Sequence, residues 1–375
     1  MSERKRADGP ADRDPGADLR EIAFRLEAAN EATYRVRAFR SAAAAIAKFD
    51  RAELLERAAE GTLAKLKGVG DVTARCIAES LSGQEPVYLR RLAATEGTEV
   101  DEETDALRRA LRGDCHAHTD WSDGGSPIEE MALAAVGLGH EYLVVTDHSP
   151  RLTVANGLSA DRLRKQIGAI EAINADLPPG FRVLTGIEVD ILADGTLDQD
   201  PELLDRLDLV VGSVHSGLRD EREVMTRRML AAIANPRLDI LGHCTGRKVL
   251  VAGPDGAPGN DERSAEGSDR AHRRGRSRPE SSFDADAVFA ACVEYDKAIE
   301  INCRPDRLDP PKRLLRLAVE AGCRLAIDTD AHAPGQLDWL RNGCERAARC
   351  GVPAETVVNT LPIEDLLQWT AGHSG

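Results

Sequence analysis

The chain has no run of eighteen or more apolar residues, the length a membrane-spanning helix needs. Its opening residues, MSERKRADGPADRDPGADL, are polar and charged and lack the apolar stretch of a secretion signal, so the cytoplasm is the expected compartment. No two of its eight cysteines, at positions 76, 115, 244, 292, 303, 323, 344 and 350, stand in a CxxC spacing. That argues against a zinc ribbon or a disulfide framework and for small, mostly buried apolar side chains. A positive excess is missing too. With 49 Lys and Arg against 64 Asp and Glu, the net charge of −15 does not suit a protein that coats nucleic acid indiscriminately. The exception is local: Asp18 to Thr95 holds thirteen basic against eleven acidic residues, which leaves a nucleic-acid contact open in that segment.

What is present is enough for a large core. A chain of 375 residues, 42% hydrophobic, fits two domains or one large domain with an appendage. Residues 1–16 mix charge, Pro and Gly and are expected to be a disordered tail. Over 17–95 the pattern is helical, with Ile22, Leu26 and Ala29 at i, i+4 and i+7 and a run of strong helix formers in AFRSAAAAIAKF. The acidic stretch EGTEVDEETD begins an expected linker over 96–112. From 113 to 375 short apolar runs alternate with helical stretches, the pattern of an α/β fold with a parallel sheet and crossover helices. Seven strands are expected: around Cys115, then YLVVTD, FRVLTGIEVDI, LDLVVGSVH, LDILGHC, AIEINC and RLAIDTDAH. Residues 252–282 lack apolar periodicity and are expected to be a disordered insertion.

Six of the nine histidines, His116, His118, His148, His215, His243 and His332, follow these runs or sit in the opening loop DCHAHTDWSDG. Asp123, Asp147, Glu188 and Asp330 keep them company. In a closed parallel barrel the carboxyl ends of the strands open onto one face, so such residues converge there. Imidazoles and carboxylates meeting at one face suit zinc, manganese or iron, and six histidines with three or more carboxylates suit two or three ions. His140, His272 and His373 fit no such position and are expected at the surface.

Taken in order, DCHAHTDWSDG, VVTDHS, GIEVDILADGTLD, GSVHS, GHCTGR, EINCRPDRLD and IDTDAH resemble the motifs of the polymerase and histidinol phosphatase (PHP) domain, in the version found in bacterial family X DNA polymerases. The resemblance covers Asp114 to His332 and implies a distorted (β/α)7 barrel. It implies nine metal ligands: one ion on His116, His118, Glu188 and Asp330, a second on Glu188, His215 and His243, and a third on Asp123, His148 and His332. Such ions clamp a phosphate and activate a water, with no protein nucleophile required. Glu188, Asp330 and His332 are thus the expected catalytic core. Arg247 and one of Arg304 or Arg307 could hold phosphate oxygens, while Asp190 and Asp194 look structural and Cys303 a packed thiol.

LAKLKGVGDVTARCIAESL places Gly68 and Gly70 between two helical patterns and resembles a helix-hairpin-helix, which holds the DNA backbone without reading sequence. Lys67, Gly68, Val69 and Gly70 are the expected DNA contacts. Two departures from the family X polymerases stand out: fewer than twenty residues separate Thr95 from Asp114, too few for a polymerase palm, and Cys76 occupies the position of a Schiff-base lysine. Polymerase and deoxyribose-phosphate lyase activities are therefore not expected. The leading expectation is a metal-dependent phosphoesterase acting on DNA, as a 3′–5′ exonuclease, 3′-phosphatase or abasic endonuclease. The alternatives are a small-molecule phosphatase of the histidinol-phosphate type and a noncatalytic DNA-binding protein with a structural metal site.

Overall fold

The computed structural model describes residues 13–95, 101–249 and 277–374. It divides into two compact units, Met1–Glu99 and Val100–Gly375. Of the expected tail, residues 1–12 lie outside the described residues, as do 252–276 of the expected insertion. Among the described residues no helix is long and apolar enough to cross a membrane.

The first unit is all-helical, with α1 (Pro15–Ala28), α2 (Thr33–Ile46), α3 (Arg51–Ala59), α4 (Asp71–Leu81) and α5 (Val87–Thr95). Helix α1 begins inside the expected tail because Asp14 caps it, accepting from the Gly16 amide at 2.8 Å, and Pro15 supplies a helical φ at the first turn. Ile22 and Leu26 are fully buried against Phe39, Ala42, Ala43 and Ile46 of α2, so the alanine run serves as an apolar face. An Asp50–Glu53 capping box starts α3.

The second unit opens with a difference from the sequence reading. Part of the expected linker is a helix, α6 (Glu102–Ala110), capped by Asp101, which accepts from the Thr104 amide and hydroxyl, each at 2.8 Å. Its acids crowd the first turn and Arg108 and Arg109 the last, the distribution a helix dipole favours, and Leu107 and Leu111 are buried. Then β1 (Gly113–Ala117), α7 (Ile128–Gly137), β2 (Tyr142–Val145), α8 (Ala160–Asn174), β3 (Arg182–Asp190), α9 (Pro201–Leu204), β4 (Leu209–Ser213), α10 (Arg222–Ile233), β5 (Ile240–Leu241), α11 (Ala285–Glu294), β6 (Ala298–Asn302), α12 (Lys312–Ala321) and β7 (Arg324–Asp328) alternate, followed by α13 (Leu340–Arg349) and α14 (Ile363–Ala371). The seven strands are parallel and lie in chain order, a nearly closed barrel with helices outside. Strands buried on both faces read as unbroken apolar runs, which is why YLVV and LVVGS were legible as strands.

Side chains of period two fill the interior in layers. Tyr142, Val144, Leu184, Leu209, Val211, Ile240, Ala298 and Ala326 form one apolar cluster with Leu366 and Trp369 of α14, whose indole N–H donates to the Asp296 carbonyl just before β6. One step along the same faces the polarity inverts. Leu184 is followed by Gly186 and Glu188, Ala298 by Glu300 and Asn302, and Ala326 by Asp328 and Asp330. Gly186 has no room for a side chain, since a Cβ there would lie 2.7 Å from Val144 and 2.8 Å from the Leu209 carbonyl. The barrel is thus apolar where its strands begin and acidic where they end.

β1 and β7 do not form a ladder with each other; Ala117 and Ala331 make an isolated bridge, and Asn359 fills the seam. Its side-chain oxygen accepts from the Ile327 amide at 2.7 Å, and its amide group donates to the Ile327 carbonyl at 3.0 Å, the Gly113 carbonyl at 3.2 Å and Asp328 Oδ1 at 2.8 Å. Each orphaned buried partner costs about 1–3 kcal/mol. Asn359→Ala is therefore expected to destabilise the barrel by roughly 2–4 kcal/mol, read from the denaturant midpoint of its unfolding. A loss below about 0.5 kcal/mol, the scale of a neutral surface change, would mean that the seam closes without Asn359.

Candidate metal centre

The register of β1 against β2 shifts between Asp114 and Ala117, a bulge of the kind that re-aims side chains beside functional sites. His116 and His118 follow from it. Their Nε2 atoms lie 3.1 Å apart, with His116 Nε2 3.5 Å and His118 Nε2 3.6 Å from Glu188 Oε2, and His118 Nε2 3.3 Å from Asp330 Oδ1. On the other side Glu188 Oε1 meets His243 Nε2 at 2.8 Å and His215 Nε2 at 3.3 Å. Asp123 Oδ1 lies 3.5 Å from His148 Nε2 and 3.4 Å from His332 Nε2. All nine expected ligands converge on one end of the barrel.

Within 4.8 Å, one donor atom per residue, three groups form: His118, Asp123, His148 and His332; His116, His118 and Asp330; and His148, Glu188 and His215. The grouping differs from the one the resemblance implied: Glu188 is absent from the group of His116 and Asp330, and His243 from all three. His118 stands beside two groups, and His148 also reaches Glu188 Oε2, at 2.8 Å through Nδ1. The donors fit divalent ions on a further observation: among the described residues both ring nitrogens of His215, Nδ1 of His118, His148 and His243, and Glu188 Oε2 are buried without a hydrogen bond. His148 Nδ1 and Glu188 Oε2 are close but misaligned. Buried polar atoms left so are costly, and a cation is the partner that lone pairs of this density require.

The site's charges are strongly coupled. Burial would raise the Glu188 carboxyl, but His215, His148 and His116 outweigh it and hold Glu188 well below the usual carboxylate range. Burial likewise opposes ionisation of Asp330, and Arg304 with His118 overcomes it. His118 is driven down to about 3 by burial and by the neighbouring His332 and His148, which keeps its ring neutral and able to donate a lone pair. For His215 burial is outweighed by Glu188 and Asp190, which push it up to about 9. His243 is lowered by burial and by Arg307.

Buried carboxylates outside the expected ligand set hold the ligands in place. Glu300, absent from the sequence reading, contacts His116 Nδ1 at 2.5 Å and accepts from the His243 amide at 2.5 Å and from Asn302 Nδ2 at 3.2 Å. Asn302 also donates to Asp330 Oδ2 at 3.1 Å. Glu300 thereby turns Nε2 of His116 toward Glu188, as a carboxylate behind a ligating histidine does. Its signal was available: it shares the inward face of β6 with Ala298. Asp147, grouped by sequence with the ligands, points elsewhere; it accepts from Thr119 (amide 2.9 Å, hydroxyl 2.6 Å), from Ser122 and from Gln166 at 2.6 Å, and so orders the opening loop. Asp190 accepts from the His215 amide at 3.1 Å, Asp194 closes a turn with Thr196, and Cys303 is a buried thiol, all three in the structural roles expected. Asp330 adopts a left-handed backbone, φ +52°, a conformation that costs energy at a ligand position.

The arginines divide. Arg247 donates to the carbonyls of Arg307 (3.0 Å) and Leu308 and so braces that loop from below. Arg304 Nη1 lies 3.3 Å from Asp330 Oδ1 and 3.3 Å from His332 Nδ1. Arg307 is 9% exposed, and its Nε, though 3.1 Å from Asp330 Oδ2, is not aligned for a hydrogen bond; neither Nε nor Nη1 has a partner among the described residues. Two histidines expected at the surface are not there. His140 is buried beside Arg108 and lowered to about 3 by burial, and His373 Nδ1 pairs with Asp239 at 2.7 Å; His272 lies outside the described residues.

In the helical unit the turn Leu66–Gly70 leads into α4. Gly68 has φ +96°, and a Cβ there would lie 3.2 Å from the Ser41 carbonyl. Lys67, Gly68 and Gly70 are exposed, whereas Val69 is buried in the helical core. Gly70 precedes the first turn of α4, where Asp71 and Val72 have no intrahelical acceptor for their amides. Cys76 is buried, its thiol pushed up to about 11 by burial.

Without metal, the positive charge on His215 is part of what balances Glu188. A group raised in the folded state, here from 6.5 to about 9, stabilises fully below its unfolded value and loses that contribution as pH rises through about 9. Chelator-treated protein should therefore melt at a lower temperature at pH 9.5 than at pH 6.5, and added divalent metal should remove most of that difference. A melting temperature of the chelated protein that is flat over this range would contradict the coupling.

Residues 114–303 match the family model of the PHP domain and residues 16–85 that of a helix-hairpin-helix domain. The DNA polymerase/3′-5′ exonuclease PolX of Bacillus subtilis is 35% identical over 274 residues, 72% of this chain and 43% of that protein, so the chain spans less than half of that relative's length. A probable phosphatase of Thermoanaerobacter sp. is 27% identical over 258 residues, 66% of this chain and 89% of that protein. Among solved structures, the histidinol phosphate phosphatase of Lactococcus lactis, complexed with zinc, L-histidinol and phosphate, aligns at 17% identity with a TM-score of 0.39, over 64% of this chain and 92% of that one. With its seven-stranded barrel and convergent histidines, the chain belongs to the PHP domain family and carries a helix-hairpin-helix domain ahead of its PHP domain.

Proposed function

We propose that this PHP-domain phosphoesterase acts on DNA, removing nucleotides or phosphate from 3′ ends or cutting at abasic sites, in the service of repair. The observation that carries the reading is the pairing, in one chain, of the His- and carboxylate-lined barrel end with a helix-hairpin-helix domain. The first offers metal-assisted phosphoester chemistry and the second a sequence-independent grip on a phosphate backbone. The similarity to the Bacillus subtilis polymerase and exonuclease supports it.

His116, His118, Glu188 and Asp330 would hold one ion, Glu188, His215 and His243 a second, and Asp123, His148 and His332 a third. Divalent ions there would supply Lewis-acid polarisation of the phosphoester and a water of lowered pKa. The chain's own residues do the rest. Glu188 remains ionised between the imidazoles, Glu300 and Asn302 fix His116, His243 and Asp330, and the unbonded Nε and Nη1 of Arg307, with Arg304, offer donors to non-bridging phosphate oxygens. Arg247 contributes indirectly by holding the Arg307 loop. Fewer than twenty residues separate Thr95 from Asp114, too few for a palm, so no nucleotide transfer is proposed.

A phosphatase for small substrates is the second reading, favoured by the probable phosphatase of Thermoanaerobacter, 89% of which aligns with this chain. One panel separates the two: a plain 3′ end, a 3′-phosphate end, an abasic duplex and histidinol phosphate, each with manganese or zinc and then with chelator. The expected outcome is metal-dependent processing of a DNA substrate, lost by at least a hundredfold in an Asp330→Ala, His332→Ala double variant, on the scale set by loss of metal-binding residues. Turnover of histidinol phosphate alone would move the protein to small-molecule chemistry.

A further inference from the structure

Beyond the ligands, the barrel mouth carries more positive charge than one phosphate can use. The chain leaving β5 pairs Lys248 with Arg278 in an antiparallel bridge, each amide donating to the other's carbonyl at 2.9 Å, and the Val249 amide donates to the Asp306 carbonyl at 2.7 Å. This ties the bridge to the 304–309 loop that presents Arg304 and Arg307. Asp306 then stands between two cations, 3.2 Å from Arg304 Nε and 3.5 Å from Lys248 Nζ. A continuous path runs from the expected ligand Asp330 through Arg304 and Asp306 to Lys248.

The carboxylates nearby do not balance these cations. Arg247, Lys248, Arg278, Arg304, Arg307 and Arg313 face Glu280, Asp306, Asp309 and the expected ligand Asp330. Asp309 accepts from the Thr245 amide (3.1 Å) and hydroxyl (2.6 Å), and Glu280 is shared between Arg313 and Arg247. Arg278 donates its Nε to the Gly246 carbonyl at 2.5 Å and has no carboxylate partner among the described residues. Arg307 is nine-tenths buried with two unbonded donors. The crowding is felt at Lys248, whose ammonium is disfavoured by burial and, against the pull of Asp306, by the charges of Arg307, Arg304 and Arg278. Cations held together with too few acids mark a place prepared for an anion.

Arg304 and Arg307 touch Asp330 and so belong with the scissile phosphate. Lys248 and Arg278 make no hydrogen bond to any expected ligand, Lys248 meets Asp306 at the carboxylate oxygen opposite the one that Arg304 takes, and Arg278 is bridged to Lys248. We propose that Lys248 and Arg278, with Arg304 between them and the metal centre, form a binding position for a second phosphate, that of the neighbouring nucleotide, and so select a polynucleotide strand over a small phosphomonoester. This rests on the reading of the chain as a DNA phosphoesterase.

The test uses the full chain loaded with manganese and compares kcat/KM on a 5′-labelled single-stranded oligonucleotide with that on p-nitrophenyl phosphate, across a salt series. For Lys248→Gln, Arg278→Gln the oligonucleotide rate should fall about tenfold further than the p-nitrophenyl phosphate rate. The logarithmic salt slope on the oligonucleotide should flatten by about 0.7, the counterion release of one single-strand phosphate contact. Lys248→Arg should keep both. Arg278→Gln alone, which disturbs little packing, should show the same selective loss at about threefold, so a misfolded double variant does not end the test. Equal losses on the two substrates in Arg278→Gln, or an unchanged salt slope, would overturn the second-phosphate site. Failure of the wild-type chain to cleave any oligonucleotide while it hydrolyses p-nitrophenyl phosphate would overturn the DNA reading itself, and this proposal with it.

Discussion

Everything at the mouth of the barrel answers to one constraint: Glu188 is a carboxylate sealed inside the protein, and a buried charge is tolerable only if compensated on every side. His116, His118, His148, His215 and His243 all come within 3.6 Å of its two oxygens, and they arrive from the ends of β1, β2, β4 and β5. Imidazoles satisfy this demand in two ways. Protonated, they neutralise the carboxylate, as His215 does when raised to about 9; neutral, they share it with a cation, for which the low-lying His118 is ready. Both states need the histidines to be held from behind: Glu300 contacts His116 Nδ1, Asp190 and Asp114 accept from the His215 and His116 amides, and Asn302 holds Asp330, all of these supports buried.

Much of this was legible in the sequence because two signals coincide. Parallel strands buried on both faces produce unbroken apolar runs, and a histidine or acid after such a run can only sit at the barrel's mouth. That placed all seven strands and brought the nine expected ligands to one end. The misses share a cause: they are polar residues whose partners are remote in sequence. Asn359 lies in an unremarkable VVNTLP segment, and nothing local says that it crosses the gap between β1 and β7. Glu300 could have been found by carrying the period of two along β6, but attention to histidines passed over it. Arg247, a candidate phosphate ligand by its place after a strand, also has two backbone carbonyls as partners of its guanidinium, and these are invisible to sequence. Helix α6 was hidden by its own charge, since acids in a first turn and arginines in a last one look like a linker until Leu107 and Leu111 are seen to be buried.

The two units answer different physical problems. The barrel concentrates compensated charge at one buried point, where phosphoester chemistry needs it. The helical unit exposes Lys67 and a glycine-rich turn before α4, a surface that suits a phosphate backbone and demands no base recognition. Within the barrel unit, the position proposed for a second phosphate at Lys248 and Arg278 would be of use to a polymer and superfluous to a single phosphate.

The central claim is that Glu188 and the histidines around it are ligands to metal rather than a self-contained polar network. Elemental analysis of the purified chain and of Glu188→Gln, after equilibration with manganese or zinc and gel filtration, tests it most directly. The account predicts close to three ions per chain in the wild type and a loss of at least the two that Glu188 would share, with the fold retained by circular dichroism. A wild-type chain that retains no metal, or a Glu188→Gln variant that retains as much as the wild type, would contradict it.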